Sequence, residues 1–272
     1  DLSGYDLILS SSYAVAKGVL SGPDQLHLCY CHSPVRYAWD LQEAYLRQTG
    51  CSRGWRGFLA RALLHYLRLW KVYRRRAQVI YPPVRIQGTP DSGNAAQERT
   101  YYLSLGRLVP YKRVDLLVET FRNFPRKELR IVGDGPERIR LERNLPENVK
   151  LLGRLPNAQV FQLLGRAKAL LFPAEEDFGI TPVEAQGMGT PVIAYARGGA
   201  CESVIPGQTG LFFHSQDAAS LGAALDAFER MHFNHATIMK NARRFSSGVF
   251  RQSFLRWVSS EWNRFQSKRA FV

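Results

Sequence analysis

Acidic residues are scarce in this chain. Against 37 Lys and Arg stand only 23 Asp and Glu, a formal charge of +14. An excess of that size calls for an anionic partner: nucleotide phosphates, nucleic acid or an acidic membrane surface. Cysteine is scarce too, with only Cys29, Cys31, Cys51 and Cys201. They form no CxxC pair and no Cys/His ligand set, which argues against a metal centre and fits a reducing cytoplasm. No apolar run approaches the ~20 residues of a membrane span. No secretory pattern follows Asp1. An initiating Met is missing as well, so the chain is expected to be a piece of something longer. There is no internal repeat. No nucleic-acid-binding motif appears, so the basic charge alone does not assign a specific nucleic-acid partner.

What is present has globular proportions, 45% hydrophobic and 22% charged, which excludes a disordered or fibrous class. Residues 1–84 form a front domain with β-like runs at Asp6–Ser10 and Leu26–Cys31. Residues 85–100 are polar and read as a linker. From 101 to 246 short apolar runs alternate with segments of helical period. Strands are expected at Tyr101–Leu105, Leu129–Val132, Val149–Leu152, Ala169–Phe172, Pro191–Tyr195 and Gly210–Phe213. Helices are expected to start near Val114, Pro136, Asn157, Thr181 and Ala200, with others over Asp217–Met231, Asn234–Phe245 and Phe250–Phe265. Residues 247–272 are expected to pack back on the front domain. The alternation predicts an α/β fold with a doubly wound parallel sheet. Ligands of such sheets sit beyond the carboxyl ends of the strands. The tips therefore matter: Gly106-Arg107, Gly133-Asp134-Gly135, Gly153-Arg154, Pro173–Gly179 and Arg197-Gly198-Gly199.

The richest tip is Pro173-Ala-Glu-Glu-Asp-Phe-Gly-Ile-Thr-Pro-Val-Glu-Ala-Gln186. It carries Glu176 before a loop-to-helix turn and Glu184 after it. Thr181 reads as the N-cap, Pro182 as the first helical residue and Glu184 as the third residue of a capping box. Taken singly, either glutamate is as well explained by capping or by a solvated loop. Arg107 and Lys112 follow the strand Tyr101–Leu105, at positions expected to be exposed. Two cations at one sheet edge can clamp a diphosphate, Arg forking two oxygens and Lys acting as a point charge. Gly133-Asp134-Gly135-Pro136 reads as a strand-to-helix turn without the full GxGxxG spacing. His32 ends the run Leu26–Cys31, a place where histidine is more often structural.

In this order the pieces resemble retaining glycosyltransferases of the GT-B fold, family 4. The resemblance covers residues 100–265 well. It rests on Gly106-Arg107 with Lys112, on Val132-Gly133-Asp134-Gly135-Pro136, and on Glu176 through Glu184, which resembles the family's E-x7-E element. The nearest flavour is that of bacterial mannosyltransferases that build surface polysaccharide from GDP-mannose. The resemblance implies that Arg107 and Lys112 bind the donor diphosphate; the turn at Gly133, a plain turn by its own pattern, would also let a base lie close to the backbone. The resemblance implies that Glu184 holds the ribose, and that Glu176, with the N–H groups of Phe178, Gly179 and Ile180, holds the hexose. On that basis, loss of Glu176 should leave free nucleoside diphosphate binding intact. The helix start at Thr181 would help to stabilise the leaving group. No cofactor and no metal is implied, and the chain has no D-x-D. Tyr30 to Asp40 resembles the acceptor-side segment, with His32 near the donor sugar. The family's glycine-rich loop near its start is absent, so the front of the pattern is expected to be missing.

The implied partners are a nucleotide sugar and a glycan or polyprenyl-diphosphate-linked acceptor. A basic, aromatic stretch from about Gly54 to Arg76, with Trp55, Trp70 and a run of arginines, reads as a helix. It would suit an anionic membrane, or else pack its apolar band on a sheet. The expected location is cytoplasmic, peripheral on the inner face of the cytoplasmic membrane. The competing reading is a truncated, non-enzymatic nucleotide-sugar-binding module.

Overall fold

The computed structural model describes residues 2–12, 19–32, 78–86 and 99–269. The basic stretch from Gly54 to Arg76, residues 33–40 of the acceptor-side segment and most of the linker lie outside these. The chain divides into two compact units: Asp1–Ile80 with Ser253–Val272, and Tyr81–Gln252.

In the first unit, β1 (Leu7–Ser12) and β2 (Leu26–Cys31) pair in parallel, Leu7 opposite Leu26 and Ser12 opposite Cys31. The Tyr30 hydroxyl donates to the Ile80 carbonyl at 3.2 Å. The Tyr30 ring meets Phe254 edge-on at 6.0 Å.

The second unit is built on six strands: β3 (Tyr101–Leu105), β4 (Glu128–Val132), β5 (Val149–Gly153), β6 (Ala167–Phe172), β7 (Val192–Tyr195) and β8 (Gly210–Phe213). All neighbours are parallel, in the order β5-β4-β3-β6-β7-β8. The helices are α1 (Val114–Arg122), α2 (Arg138–Glu142), α3 (Asn157–Arg166), α4 (Ile180–Gly187), α5 (Ala200–Ser203), α6 (Ala218–Phe228) and α7 (His235–Arg243). The long α8 (Ser247–Arg269) begins in this unit and ends in the first. Strand side chains alternate between faces. Tyr102, Leu129, Ile131, Leu171 and Ile193 enter one core with Leu117, Phe121 and Leu225. Their neighbours Leu103, Val132, Leu170 and Val192 enter the other with Leu164 and Met188. Burial on both faces explains why these runs read as continuously apolar.

Strand bounds fall within two residues of expectation. The helix expected near Pro136 is a single short turn at Arg138–Glu142. No helix among the described residues is long and apolar enough to cross a membrane.

Candidate active site

The sheet order reverses between β3 and β6. The chain winds outward from β3 to β5, then from β6 to β8 on the other side. The loops after β3 and β6 therefore diverge and leave a crevice between them, where ligands of doubly wound sheets bind. Gly106, Arg107, Lys112, Phe172, Pro173 and Ala174 line a small cleft at this point.

After β3 the chain passes Arg107, makes a 3₁₀ turn at Pro110–Lys112, and enters α1 through Arg113 at φ 51°. That turn brings Lys112 back toward the crevice. Its Nζ donates to Oε1 of Glu176. The two side chains are 17% and 21% exposed, so the expectation of an exposed Lys112 is corrected: it is shielded and paired. The Phe172 ring lies 6.0 Å from its Nζ. Arg107 is exposed and has no partner among the described residues.

The loop carrying Glu176 is held by its backbone. Gly199 N–H donates to the Glu176 carbonyl at 2.7 Å. A Cβ at Gly198 would lie 2.3 Å from the Glu176 carbonyl oxygen, and one at Gly199 would lie 2.2 Å from the Phe178 Cα. Only a Gly-Gly pair lets the tip of β7 lie this close to the tip of β6. On the other side Gln216 Nε2 donates to the Pro173 carbonyl at 2.8 Å. Arg113 donates to Gln216 Oε1 at 3.2 Å and to its carbonyl at 3.4 Å. The loops after β3, β6, β7 and β8 are thus tied together. A similar backbone approach joins the tips of β3 and β4: a Cβ at Gly133 would lie 1.8 Å from the Gly106 carbonyl oxygen.

The start of α4 corrects the capping expectation. Gly179, at φ 79°, is the N-cap, and no side chain caps the helix. Thr181 is therefore the second helical residue and Pro182 the third, both inside the first turn, where a missing N–H costs nothing. Glu184 belongs to no capping box. The Phe178 ring fixes the loop from the other side, packing between Tyr81 at 5.6 Å and Phe245 at 5.4 Å. The backbone N–H groups of Phe178 and Gly179 donate to no backbone carbonyl among the described residues. With the orphan N–H of Ile180 they are available to a ligand. Glu184 is half-buried and has no partner among the described residues. Burial alone holds its carboxyl above the usual glutamate range.

His32 belongs to the first unit. It stands exposed at the end of β2, with its Nε2 2.8 Å from Ser11 Oγ and its ring edge-on to Tyr30 at 5.1 Å. No cluster of three His, Cys, Asp or Glu residues that could hold a metal ion occurs among the described residues.

Residues 87–245, more than half of the chain, match the family described as glycosyl transferases group 1. The chain belongs to this family. The group 1 region includes the whole crevice. The chain is 37% identical over 134 residues to a GDP-mannose-dependent monoacylated alpha-(1-6)-phosphatidylinositol monomannoside mannosyltransferase of Corynebacterium glutamicum, an alignment covering 44% of this chain and 35% of that protein. It is 30% identical over 189 residues to a D-inositol 3-phosphate glycosyltransferase of Nocardia farcinica, covering 62% of this chain and 42% of that protein. The chain thus spans well under half the length of these two relatives. Among solved structures, a sucrose-phosphate synthase from Thermosynechococcus elongatus superposes with a TM-score of 0.68 at 22% identity, over 96% of this chain and 75% of that one. A lipopolysaccharide outer core galactosyltransferase in its apo form gives 0.60 at 16% identity, over 94% and 99%. These likenesses establish the GT-B fold.

The group 1 crevice also holds residues that the sequence reading passes over. Gln216 lies on the tip after β8, a place the topology rule covers. A loop glutamine carries no signal of its own. Arg113 is masked by its position: nothing in the sequence shows a non-glycine residue at positive φ. Gly198-Gly199 is visible as a tip, but its close approach to Glu176 and Phe178 is not.

Proposed function

We propose that this chain carries the donor site of a retaining family 4 glycosyltransferase. It transfers a hexose, mannose from GDP-mannose, to a glycan or polyprenyl-diphosphate-linked acceptor. The observation that carries the reading is the crevice between β3 and β6. There Lys112 and Glu176 meet, while Arg107 and Glu184, on the segments that follow the same two strands, have no side-chain partner among the described residues. An exposed cation without a carboxylate of its own, beside a shielded Lys–Glu pair and a desolvated carboxylate without a donor, fits a ligand that is anionic at its phosphates and hydroxyl-rich on both sides of them. A nucleoside diphosphate sugar has that pattern.

In this reading Arg107 and Lys112 take the diphosphate, the base rests near the backbone at Gly133, and Glu184 accepts the ribose hydroxyls. Glu176 and the N–H groups of Phe178, Gly179 and Ile180 hold the hexose. The bond from the anomeric carbon to the phosphate oxygen breaks as the acceptor oxygen arrives on the same face. The acceptor proton passes to the departing diphosphate oxygen. Charge grows on the diphosphate in the transition state, so Arg107, Lys112 and the start of α4 stabilise it there more than in the ground state. No metal is part of this scheme. His32 sits near the transferred sugar only by the family resemblance. The mannosyl donor is supported by the Corynebacterium relative, a GDP-mannose-dependent mannosyltransferase, and the whole protein's acceptor by the resemblance alone. The peripheral, cytoplasmic membrane station belongs to the same proposal.

The test follows donor and product anomeric signals by NMR with GDP-mannose, with and without EDTA. Release of GDP, an unchanged anomeric configuration and insensitivity to EDTA support the reading. Inversion, or turnover that stops in EDTA, overturns the mechanism. Failure of GDP- and UDP-sugars alike to bind overturns the donor site.

A further inference from the structure

We propose that the Lys112–Glu176 ion pair makes the crevice discriminate between an intact nucleotide sugar and the spent nucleoside diphosphate. The inference rests on the donor orientation proposed above and deepens it.

The two cations of the crevice are not equivalent. Arg107 is exposed and has no side-chain partner among the described residues. Lys112 is already engaged by Glu176, and both side chains are mostly shielded from water. Any phosphate that approaches Lys112 must therefore compete with a carboxylate in contact. An intact donor resolves the competition. Its diphosphate takes Lys112 while its hexose hydroxyls take Glu176, so both charges exchange one partner for another. A free nucleoside diphosphate brings only the phosphate. If Lys112 turns to it, Glu176 is left half-buried without a hydrogen-bond donor, a costly state for a carboxylate. If Lys112 stays between the two, phosphate and carboxylate lie close together and repel.

The Glu176 loop cannot shift as a whole to relieve this. Its carbonyl is held by Gly199 N–H at 2.7 Å, and Gly198 and Gly199 pack directly on its loop. The Pro173 carbonyl, three residues earlier, is held by Gln216 at 2.8 Å. The loop backbone is fixed on both sides of the carboxylate. Glu176 thus favours release of the product as well as holding the sugar. This reverses the sequence-based expectation that its loss leaves free nucleotide binding untouched.

The experiment is calorimetric titration of the chain with GDP, UDP, GDP-mannose and UDP-glucose, in wild type, Glu176→Gln, Lys112→Ala and the double variant. Asp177→Asn serves as a control for loss of one negative charge on the same loop. Glu176→Gln should tighten the free diphosphates by about three- to tenfold while weakening or sparing the intact sugars, so the ratio of the two affinities moves toward product. In the Lys112→Ala background the same substitution should no longer tighten the free diphosphates. Free diphosphate binding that is not tightened in Glu176→Gln, or is tightened equally in Asp177→Asn, overturns the inference while leaving the donor site standing. If none of the four probes binds wild type, the donor reading falls and takes this inference with it.

Discussion

At the amino end of the six-stranded sheet, Glu229 accepts the Tyr102 hydroxyl at 2.7 Å and lies 3.3 Å from Lys127 and 3.2 Å from Lys168. At the carboxyl end, Arg107 and Glu184 have no side-chain partner among the described residues, and the only charged partner of Lys112 among them is Glu176. The two glutamates respond in opposite directions. Burial alone would raise Glu229, but the Tyr102 hydroxyl and the two lysines outweigh it and hold the carboxyl below the usual range. Burial raises Glu184, and nothing opposes it. Charges that serve the fold are satisfied by the fold. Charges at the other end carry a desolvation cost that the fold does not offset, which is the condition of a site shaped for a ligand.

The largest effect that sharpens this contrast should come from Lys112→Ala. Loss of one charge-assisted contact should weaken nucleoside diphosphate binding by about tenfold or more, with a loss of stability smaller than that expected of Glu229→Ala below. Titration beside thermal denaturation checks both halves. A large loss of stability would make Lys112 part of the fold and erase the contrast. Glu229→Ala should do the reverse. It strips a buried phenol of its acceptor, at a cost of about 2 kcal/mol in urea unfolding, and should leave nucleotide binding untouched.

The pH dependence separates the same two ends. Glu229 is depressed, so its stabilisation is present above the ordinary value of 4.5 and is lost as pH falls through its folded value. Glu184 is raised, so its contribution is fully present below 4.5 and is lost as pH rises through its folded value. Glu184→Gln should therefore be at least as stable as wild type at pH 7, the two curves meeting below about pH 4.5, while nucleotide and donor binding both weaken. A variant less stable than wild type at neutral pH would mean that Glu184 has a structural partner after all.

The smallest effect concerns helix caps. Asp217 caps α6 by accepting Ser220 N–H at 2.8 Å, so Asp217→Ala should cost about 1 kcal/mol. Thr181 caps nothing, and Thr181→Ala should cost less than about 0.5 kcal/mol. Equal costs in denaturant titrations would restore the capping box.

Much of the fold is legible because parallel strands buried on both faces read as apolar blocks between helical periods. Tyr101–Leu105 and Gly210–Phe213 fall where the sequence puts them. The site is legible as a set of strand tips, since Arg107, Lys112, Glu176 and Glu184 all follow strands near the switch point. The pairings are not legible. Lys112 and Glu176 are 64 positions apart, and only the crossover between β3 and β6 brings them together. Thr181-Pro182 carries the local signature of a helix start. The αL turn available to Gly179 begins the helix one residue before Thr181, and the signature ends up inside the first turn. Local chemistry proposes a cap, and the turn geometry decides where it lies.

The most direct test of the account is an amide NMR titration of the wild-type chain with GDP-mannose and UDP-glucose. Saturable shifts should be confined to the carboxyl end, at Gly106–Lys112, Gly133–Gly135 and Glu176–Glu184, with the amides of Tyr102, Lys168 and Glu229 unmoved. Shifts centred on the amino end of the sheet, or no saturation with either donor, would contradict it.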